Sequence, residues 1–257
     1  MDKKIEELIV QFKELIASGK EKCGEKEYGD AYDDFEKAFE IAKTINKESV
    51  DVNLLIEAYN NLATANLYVG FIDDALEQEL EALEMVSSCT DLEAKLMLYK
   101  NLGSIYATLE DYNKSFEYYS KALIVRKKIF ESDSKPEPVI EGLDEIMNVL
   151  IKARKFKDAK EYARTAIEIR QEVYGNRKDK TELAVGMSLY AHICEEEGEL
   201  EEAKWYRLKE CEIYEGMNNK AGMIKALEKI EVLCLALKDV AAAEKIKNQI
   251  KNLLYYR

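Results

Sequence analysis

Residues Leu96 to Val125 read LMLYKNLGSIYATLEDYNKSFEYYSKALIV, and the pattern breaks in two around Glu110 and Asp111. In the first half, Tyr99, Leu102, Gly103 and Tyr106 share one face at helical spacing. In the second half, Tyr112, Ser115, Tyr119 and Ala122 do the same. The small residues Gly103 and Ser115 let two helices approach closely, and the aromatic rings fill the space that remains. The stretch predicts a pair of packed helices joined by a short turn.

The same device recurs outward from this stretch. Ala31, Ala75, Ser115, Ala159, Ala203 and Ala243 follow one another at steps of 44, 40, 44, 44 and 40 residues. Each carries companions in register. They are Gly19, Tyr28, Phe35 and Ala38 in the first repeat, and Tyr59, Leu62, Ala63, Gly70 and Ala82 in the second. Leu143, Ile146, Phe156 and Ala166 mark the fourth, and Tyr190, Ala191, Gly198 and Leu200 the fifth. Leu227, Ile230 and Val240 mark the sixth, which departs most from the frame. A packing device repeated at near-constant spacing predicts a stack of helix pairs rather than a globule around one buried site.

The frame resembles the tetratricopeptide repeat, whose consensus runs W-x2-L-G-x2-Y…A-x3-F…A. Tyr99 takes the tryptophan place, and Leu102, Gly103 and Tyr106 match directly. Ser115 takes the first alanine, Tyr119 the phenylalanine and Ala122 the last alanine. The family period is about 34 residues, so the longer steps here predict lengthened helices and joints. The segments ALIVRKKIFE (122–131) and AIEIRQEVYG (166–175) align one repeat apart, with Arg126 and Arg170 at the same place. In this the chain is similar to the long-repeat subclass found in kinesin light chains. The resemblance implies an all-α fold, a right-handed α-solenoid of about six repeats. One domain is expected over residues 1–257, with repeats near 12–45, 56–88, 96–131, 140–174, 184–216 and 224–257. The joint SDSKPEP (132–138) holds both prolines, which stop a helix, and GNRKDK (175–180) is its counterpart one repeat later. The unchanged step across SDSKPEP favours a continuous stack over a domain boundary. Lys245, Lys247 and Lys251 give the last helix a polar face suited to a cap.

Composition agrees with a helical, folded chain. Of 257 residues, 47% are hydrophobic and 35% charged, with only 2 prolines and 11 glycines. A net charge of −13 argues against nucleic acid, which needs a basic footprint. The densest basic run, Arg126–Lys127–Lys128, is read as a solvated helix end. No apolar run of about 18 residues occurs, so no membrane insertion is expected. The opening MDKKIEELIVQF is amphipathic and lacks the features of a secretory signal. Five cysteines without a CxxC pair fit a reducing, cytoplasmic setting.

Chemistry finds little support, and the chain is not expected to be an enzyme. His192 is the one histidine, and Cys194 lies two residues on, on another helical face. Cys194 and Cys234 fall at the Tyr106 place of the frame, a packing position for a small hydrophobe. One histidine cannot build a zinc site, and Gly70–Asp74 is too short for a calcium loop. Glu195–Glu196–Glu197 reads as a solvated helix end. No phosphate-cradling glycine motif is present, so neither a metal nor a cofactor is expected. Most of the sixteen tyrosines fall at packing positions.

The resemblance implies that the first helix of each pair lines a concave surface that holds a partner. The polar residues on that face are Asn60, Asn61, Thr64 and Tyr68, then Lys100, Asn101, Ser104 and Thr108. Asp144, Glu145 and Asn148 follow, then Ser188, His192 and Glu196. Asn61 and Asn101 occupy the same repeat position. Asparagine is a poor helix former, and its amide can pair with an extended peptide backbone. The expected function is a non-enzymatic scaffold binding a protein or extended peptide in the groove, chiefly through Asn60, Asn61, Lys100, Asn101, Asn148 and His192. A heat-shock-chaperone carboxylate clamp is not expected. Its first-repeat places hold Ile16 and Lys20, and its third-repeat places Met97 and Asn101. Shifting the frame by one repeat brings in Glu141 and Glu145 where cations are needed. Two alternatives stand beside the scaffold. One is a structural subunit of a larger assembly using its convex face or its ends, suggested by Leu253, Leu254, Tyr255 and Tyr256. The other is a peptide-sensing regulator.

Overall fold

The structure is a computed structural model that describes residues 3–49, 51–133 and 136–255. Ser134 and Lys135 of the SDSKPEP joint, and Tyr256, lie outside the described residues. Twelve helices and no strands occur among those described. The chain divides into two compact units, Met1–Asp133 and Ser134–Arg257. The first unit holds α1 (Lys3–Glu25), α2 (Tyr28–Ser49), α3 (Val52–Val69), α4 (Ile72–Met85), α5 (Leu92–Thr108) and α6 (Tyr112–Asp133). The second holds α7 (Glu137–Lys152), α8 (Phe156–Tyr174), α9 (Thr181–Glu197), α10 (Leu200–Gly216), α11 (Lys220–Ala236) and α12 (Val240–Tyr255). Each unit is a run of three helix pairs of the all-α repeat-solenoid type.

One turn geometry closes all six pairs. The residue five places before each small-residue mark has positive φ: Lys26, Gly70, Glu110, Arg154, Gly198 and Lys238. The next amide then donates back to a carbonyl five residues earlier, as in Asp111 to Tyr106 and Lys155 to Leu150, at 2.9 and 2.8 Å. This left-handed cap satisfies the carbonyls that a helix end leaves without partners. Two of the six positions carry glycine, which enters this region without strain. The other four hold side chains there against a local penalty of roughly 1–2 kcal/mol each.

The small marks are buried as the spacing requires: Ala31, Ala75, Ser115, Ala159 and Ala203 are fully enclosed, and Ala243 nearly so. Ser115 also donates its hydroxyl to the Gly103 carbonyl of the paired helix at 2.7 Å. Opposite them the aromatics close down on glycine. A Cβ built on Gly19 would lie 2.4 Å from the Phe35 ring, and one on Gly103 would lie 2.9 Å from the Tyr119 ring. Phe12, Phe35, Ile56, Leu98 and Leu102 anchor the core of the first unit. Leu227, Ile230, Cys234 and Ala243 belong to a core cluster of the second. Burying each leucine, isoleucine or phenylalanine among them supplies about 1.5–3 kcal/mol.

The uneven period follows from the second helices and joints. Steps of 44 residues run across α2 and α6, of 22 residues each, and across α8, of 19. Steps of 40 run across α4, of 14, and α10, of 17. Arg126 corrects the reading of a solvated basic run: Lys127 and Lys128 are exposed, whereas Arg126 is 1% exposed. Its repeat mate Arg170 is equally buried, where Asp144 accepts from its Nη1 and Nη2 at 3.1 and 2.5 Å. The shared arginine place is therefore a core position.

Candidate functional site

In the first unit three first helices converge. Lys20 of α1, Asn60, Thr64 and Tyr68 of α3, and Lys100 and Asn101 of α5 line one cleft of about 480 Å³. Glu57, Asp91 and Glu93 add carboxylates to its rim, and Lys20 pairs with Glu57 at 3.4 Å. Five residues expected on the groove face, Asn60, Thr64, Tyr68, Lys100 and Asn101, thus meet at one place. Tyr68 is 55% exposed, and its ring stacks on that of Tyr28 at 4.5 Å. Ser104 is half-buried one turn beyond Lys100 and is not among the lining residues.

Asn61 does not reach this surface. It is 1% exposed, and its amide nitrogen donates to the Glu57 carbonyl of its own helix at 2.7 Å. Asn61, expected on the groove face beside Asn101, is therefore turned into its own helix pair and offers no amide to the cleft. Asn60 and Asn101 are joined instead. The Asn101 amide nitrogen lies 3.1 Å from the Asn60 carbonyl, 3.1 Å from Thr64 Oγ1 and 2.6 Å from Glu79 Oε1. Thr64 donates its hydroxyl to the same Asn60 carbonyl at 2.7 Å. Asn60 donates to the Ala94 carbonyl at 2.8 Å, tying α3 to the start of α5. Its Oδ1 is buried without a hydrogen-bond partner, as is Oε2 of Glu79.

Glu79 is not a groove-face residue, but the repeat frame marks it. It lies four residues after Ala75, at the aromatic place that Phe35 and Tyr119 fill in neighbouring repeats. A carboxyl at that place is enclosed completely. Burial pushes its pKa up to about 8, and the hydrogen bond from Asn101 opposes the rise. Arg207 holds the equivalent place in the fifth repeat, four residues after Ala203.

In the second unit the expected residues are less gathered. Asn148 is exposed and Glu145 half-buried on α7. Asp144, expected beside them, has its carboxylate on Arg170. On α9, Ser188 Oγ accepts from Arg207 Nη1 at 2.6 Å, and Arg207 also pairs with Glu195 and Glu210, each at 2.9 Å. His192 keeps a half-open side chain, with Nδ1 3.9 Å from Glu195. Glu195 and Glu197 are thus ion-pair partners of Arg207 and Lys160, not purely solvated. At the end of α12, Leu253 is half-buried, and Leu254 and Tyr255 are exposed.

One cluster has metal-ligand chemistry. Cys194, Glu199 and Glu202 present donor atoms within 4.8 Å of one another. The Lys160 ammonium is the cation of this cluster, paired with Glu197, Glu199 and Glu202. Burial raises the Cys194 thiol to about 12, which keeps it protonated. All five cysteines are free, and four are buried, Cys194 and Cys234 completely. Among the described residues no helix is long and apolar enough to cross a membrane.

Residues 98–126 and 148–179 each match the tetratricopeptide repeat family. No curated relative matches the chain in sequence. Solved structures share the fold at low identity. BtubC (BKLC) from P. vanneervenii has a TM-score of 0.63 at 18% identity, over 86% of this chain and 89% of its own. The nearly identical TPR-like repeats named for a kinesin light chain of Podosopora anserina score 0.66 at 14% identity, over 83% and 97%. YrrB, described as a TPR protein with an unusual peptide-binding site, scores 0.53 at 19% identity, over 82% and 91%. Repeats of this class stack to expose extended surfaces that hold protein partners. The frame of small residues, the six identical turns and these matches together make residues 98–126 and 148–179 tetratricopeptide repeats within an all-α chain whose fold is similar to that of tetratricopeptide-repeat structures.

Proposed function

We propose that this protein is a non-enzymatic scaffold and that the cleft between α1, α3 and α5 holds an extended polypeptide segment. The convergence of three first helices on one cleft lined by Asn60, Thr64, Tyr68, Lys100 and Asn101 carries this reading. The polar groups suit a peptide backbone. The Asn101 nitrogen is held inward by three acceptors, which leaves its amide oxygen to accept from a peptide N–H. The buried Oδ1 of Asn60 has no partner, and a buried acceptor left so lowers stability by about 1–3 kcal/mol. Cations (Lys20, Lys100) and carboxylates (Glu57, Asp91, Glu93) are both present in the lining, so the backbone rather than net charge is the common element of recognition. Tyr68 offers a ring face at one end.

Glu145, Asn148, Ser188 and His192 form a second, more open stretch of the same type in our reading. Ser188 contributes there through Arg207 rather than directly. The test is a selection of displayed peptides on the full chain, followed by rebinding to a Tyr68→Ala/Lys100→Ala variant. Both side chains sit on the cleft and outside the core, so helicity should be unchanged. The selected peptides should lose at least about tenfold in affinity, the effect of removing about 1.4 kcal/mol of contacts. Equal binding to both proteins would remove the cleft from the account.

A further inference from the structure

The second unit carries a cleft outside the groove residues named above. It opens between the end of α8, the joint from Gly175 to Lys180, the start of α9 and the last turns of α10, and encloses about 610 Å³. Its charge is opposite to that of the chain. Arg177, Lys178, Lys180 and Lys209 line it against one carboxylate, Glu212, in a protein of net charge −13. Glu212 is bridged to Lys209 at 2.7 Å, so the three cations of the joint face no other carboxylate in the lining. Asp179 belongs to the joint but is not in the lining; its carboxylate accepts from the Thr181 amide at 2.9 Å.

The floor is apolar and adaptable. Leu183 and Met187, one turn apart on α9, meet Ile213 and Met217 at the end of α10. Met217 also fixes the mouth of the cleft, since its sulfur accepts from the Lys180 backbone N–H at 3.0 Å. Thioethers fit irregular partners without a single required shape. A ring of cations over low-dielectric walls concentrates anions, and the volume falls in the range of ligand sites.

We propose that this cleft is a second binding site, for an acidic polypeptide segment that places one large apolar side chain between carboxylates. The apolar side chain seats on Leu183, Met187, Ile213 and Met217, and the carboxylates meet Arg177, Lys178 and Lys180. A nucleic acid fits less well. No aromatic ring lines the cleft for base stacking, and its apolar floor of Leu183, Met187, Ile213 and Met217 matches a large aliphatic side chain rather than a sugar-phosphate backbone.

The test is fluorescence anisotropy on the full chain with three labelled peptides and a single-stranded oligonucleotide. The peptides are Glu-Asp-Leu-Glu-Asp, its lysine counterpart, and a version with serine for leucine. The acidic leucine peptide should bind, and should weaken about tenfold between low and physiological salt. It should lose at least about tenfold in an Arg177→Glu/Lys178→Glu variant, and keep its affinity in the Tyr68→Ala/Lys100→Ala variant, which separates this site from the groove. If charge reversal disturbs the melt, Arg177→Gln/Lys178→Gln serves, with a smaller loss in the same direction. No binding, equal binding of the lysine or serine peptide, indifference to both charge variants, or tighter binding of the oligonucleotide would each overturn the proposal.

Discussion

The Asn101 amide nitrogen stands 2.6 Å from a carboxylate oxygen of Glu79, a side chain with no exposed surface. That contact joins the wall of the cleft to the interior of the second helix pair. It makes the surface that faces the cleft sensitive to a group that no partner touches.

Stability should therefore fall as pH rises through the neutral range. Folding raises the Glu79 pKa from its ordinary carboxyl value to about 8. Below the ordinary value both states are protonated, and the group has no effect. Between the two values the unfolded chain has released the proton while the folded chain retains it, so each unit of pH lowers stability by up to roughly 1.4 kcal/mol. Above about 8 the loss is complete. Glu79→Gln keeps an acceptor for Asn101 and removes the titration. Denaturant midpoints at pH 5 to 9 should flatten in this variant. An identical slope in both proteins would show that Glu79 is not the cause.

The six left-handed turn positions give three changes, two of one sign and one of the other. Glu110→Gly and Arg154→Gly relieve a side chain held at positive φ and should each raise stability by about 0.5–1 kcal/mol. Gly70→Ala, at a φ of 90° with open space around the new methyl, should lower it by about 1 kcal/mol through backbone strain alone. Thermal unfolding of the three variants checks the order. The turn account would fail if all three moved the same way.

Overpacking should be costly where glycine meets a ring. Gly19→Ala and Gly103→Ala force methyls to 2.4 and 2.9 Å from Phe35 and Tyr119, for a loss of about 1–3 kcal/mol each. A Gly29→Ala control, with nothing near its Cβ, should be neutral or slightly stabilising. Equal melting of Gly103→Ala and wild type would contradict the close approach of α5 and α6.

Arg170, buried, and Asp144, half-buried, should behave as a coupled pair. Arg170→Met leaves Asp144 without its bidentate partner, and Asp144→Asn leaves a buried guanidinium whose remaining carboxylate among the described residues is Glu182, at 3.7 Å. Each should lower stability by roughly 3 kcal/mol, and the double variant by less than the two together. Strict additivity in the double-mutant cycle would mean the two side chains are not coupled.

The fold was legible because its information is local and periodic. Ala31 to Ala243 repeat because each must let two helices touch, so their spacing exposes every turn and names every buried mark. Cys194 and Cys234 were placed correctly by the same frame. The site was less legible because a helical face read from one helix does not say what the next helix covers. Asn61 and Asn101 share a position, yet Asn61 bonds back to its own helix while Asn101 reaches into the preceding pair. Arg126 and Arg170 share a place in the frame, but the charge of the Arg126–Lys127–Lys128 run suggested solvent where the packing encloses Arg126. Glu79 and Arg207 could have been noticed as charged residues at an aromatic place of the frame.

The peptide-holding cleft is tested most directly by position-specific photo-crosslinking. A benzoylphenylalanine at Met97, which lines the cleft, is compared with one at Val232, an exposed residue of α11. A peptide selected on the full chain should form an adduct at position 97 that excess unlabelled peptide suppresses, and none above background at position 232. Adducts of equal yield at both positions, or none at position 97, would contradict a peptide-binding cleft between α1, α3 and α5.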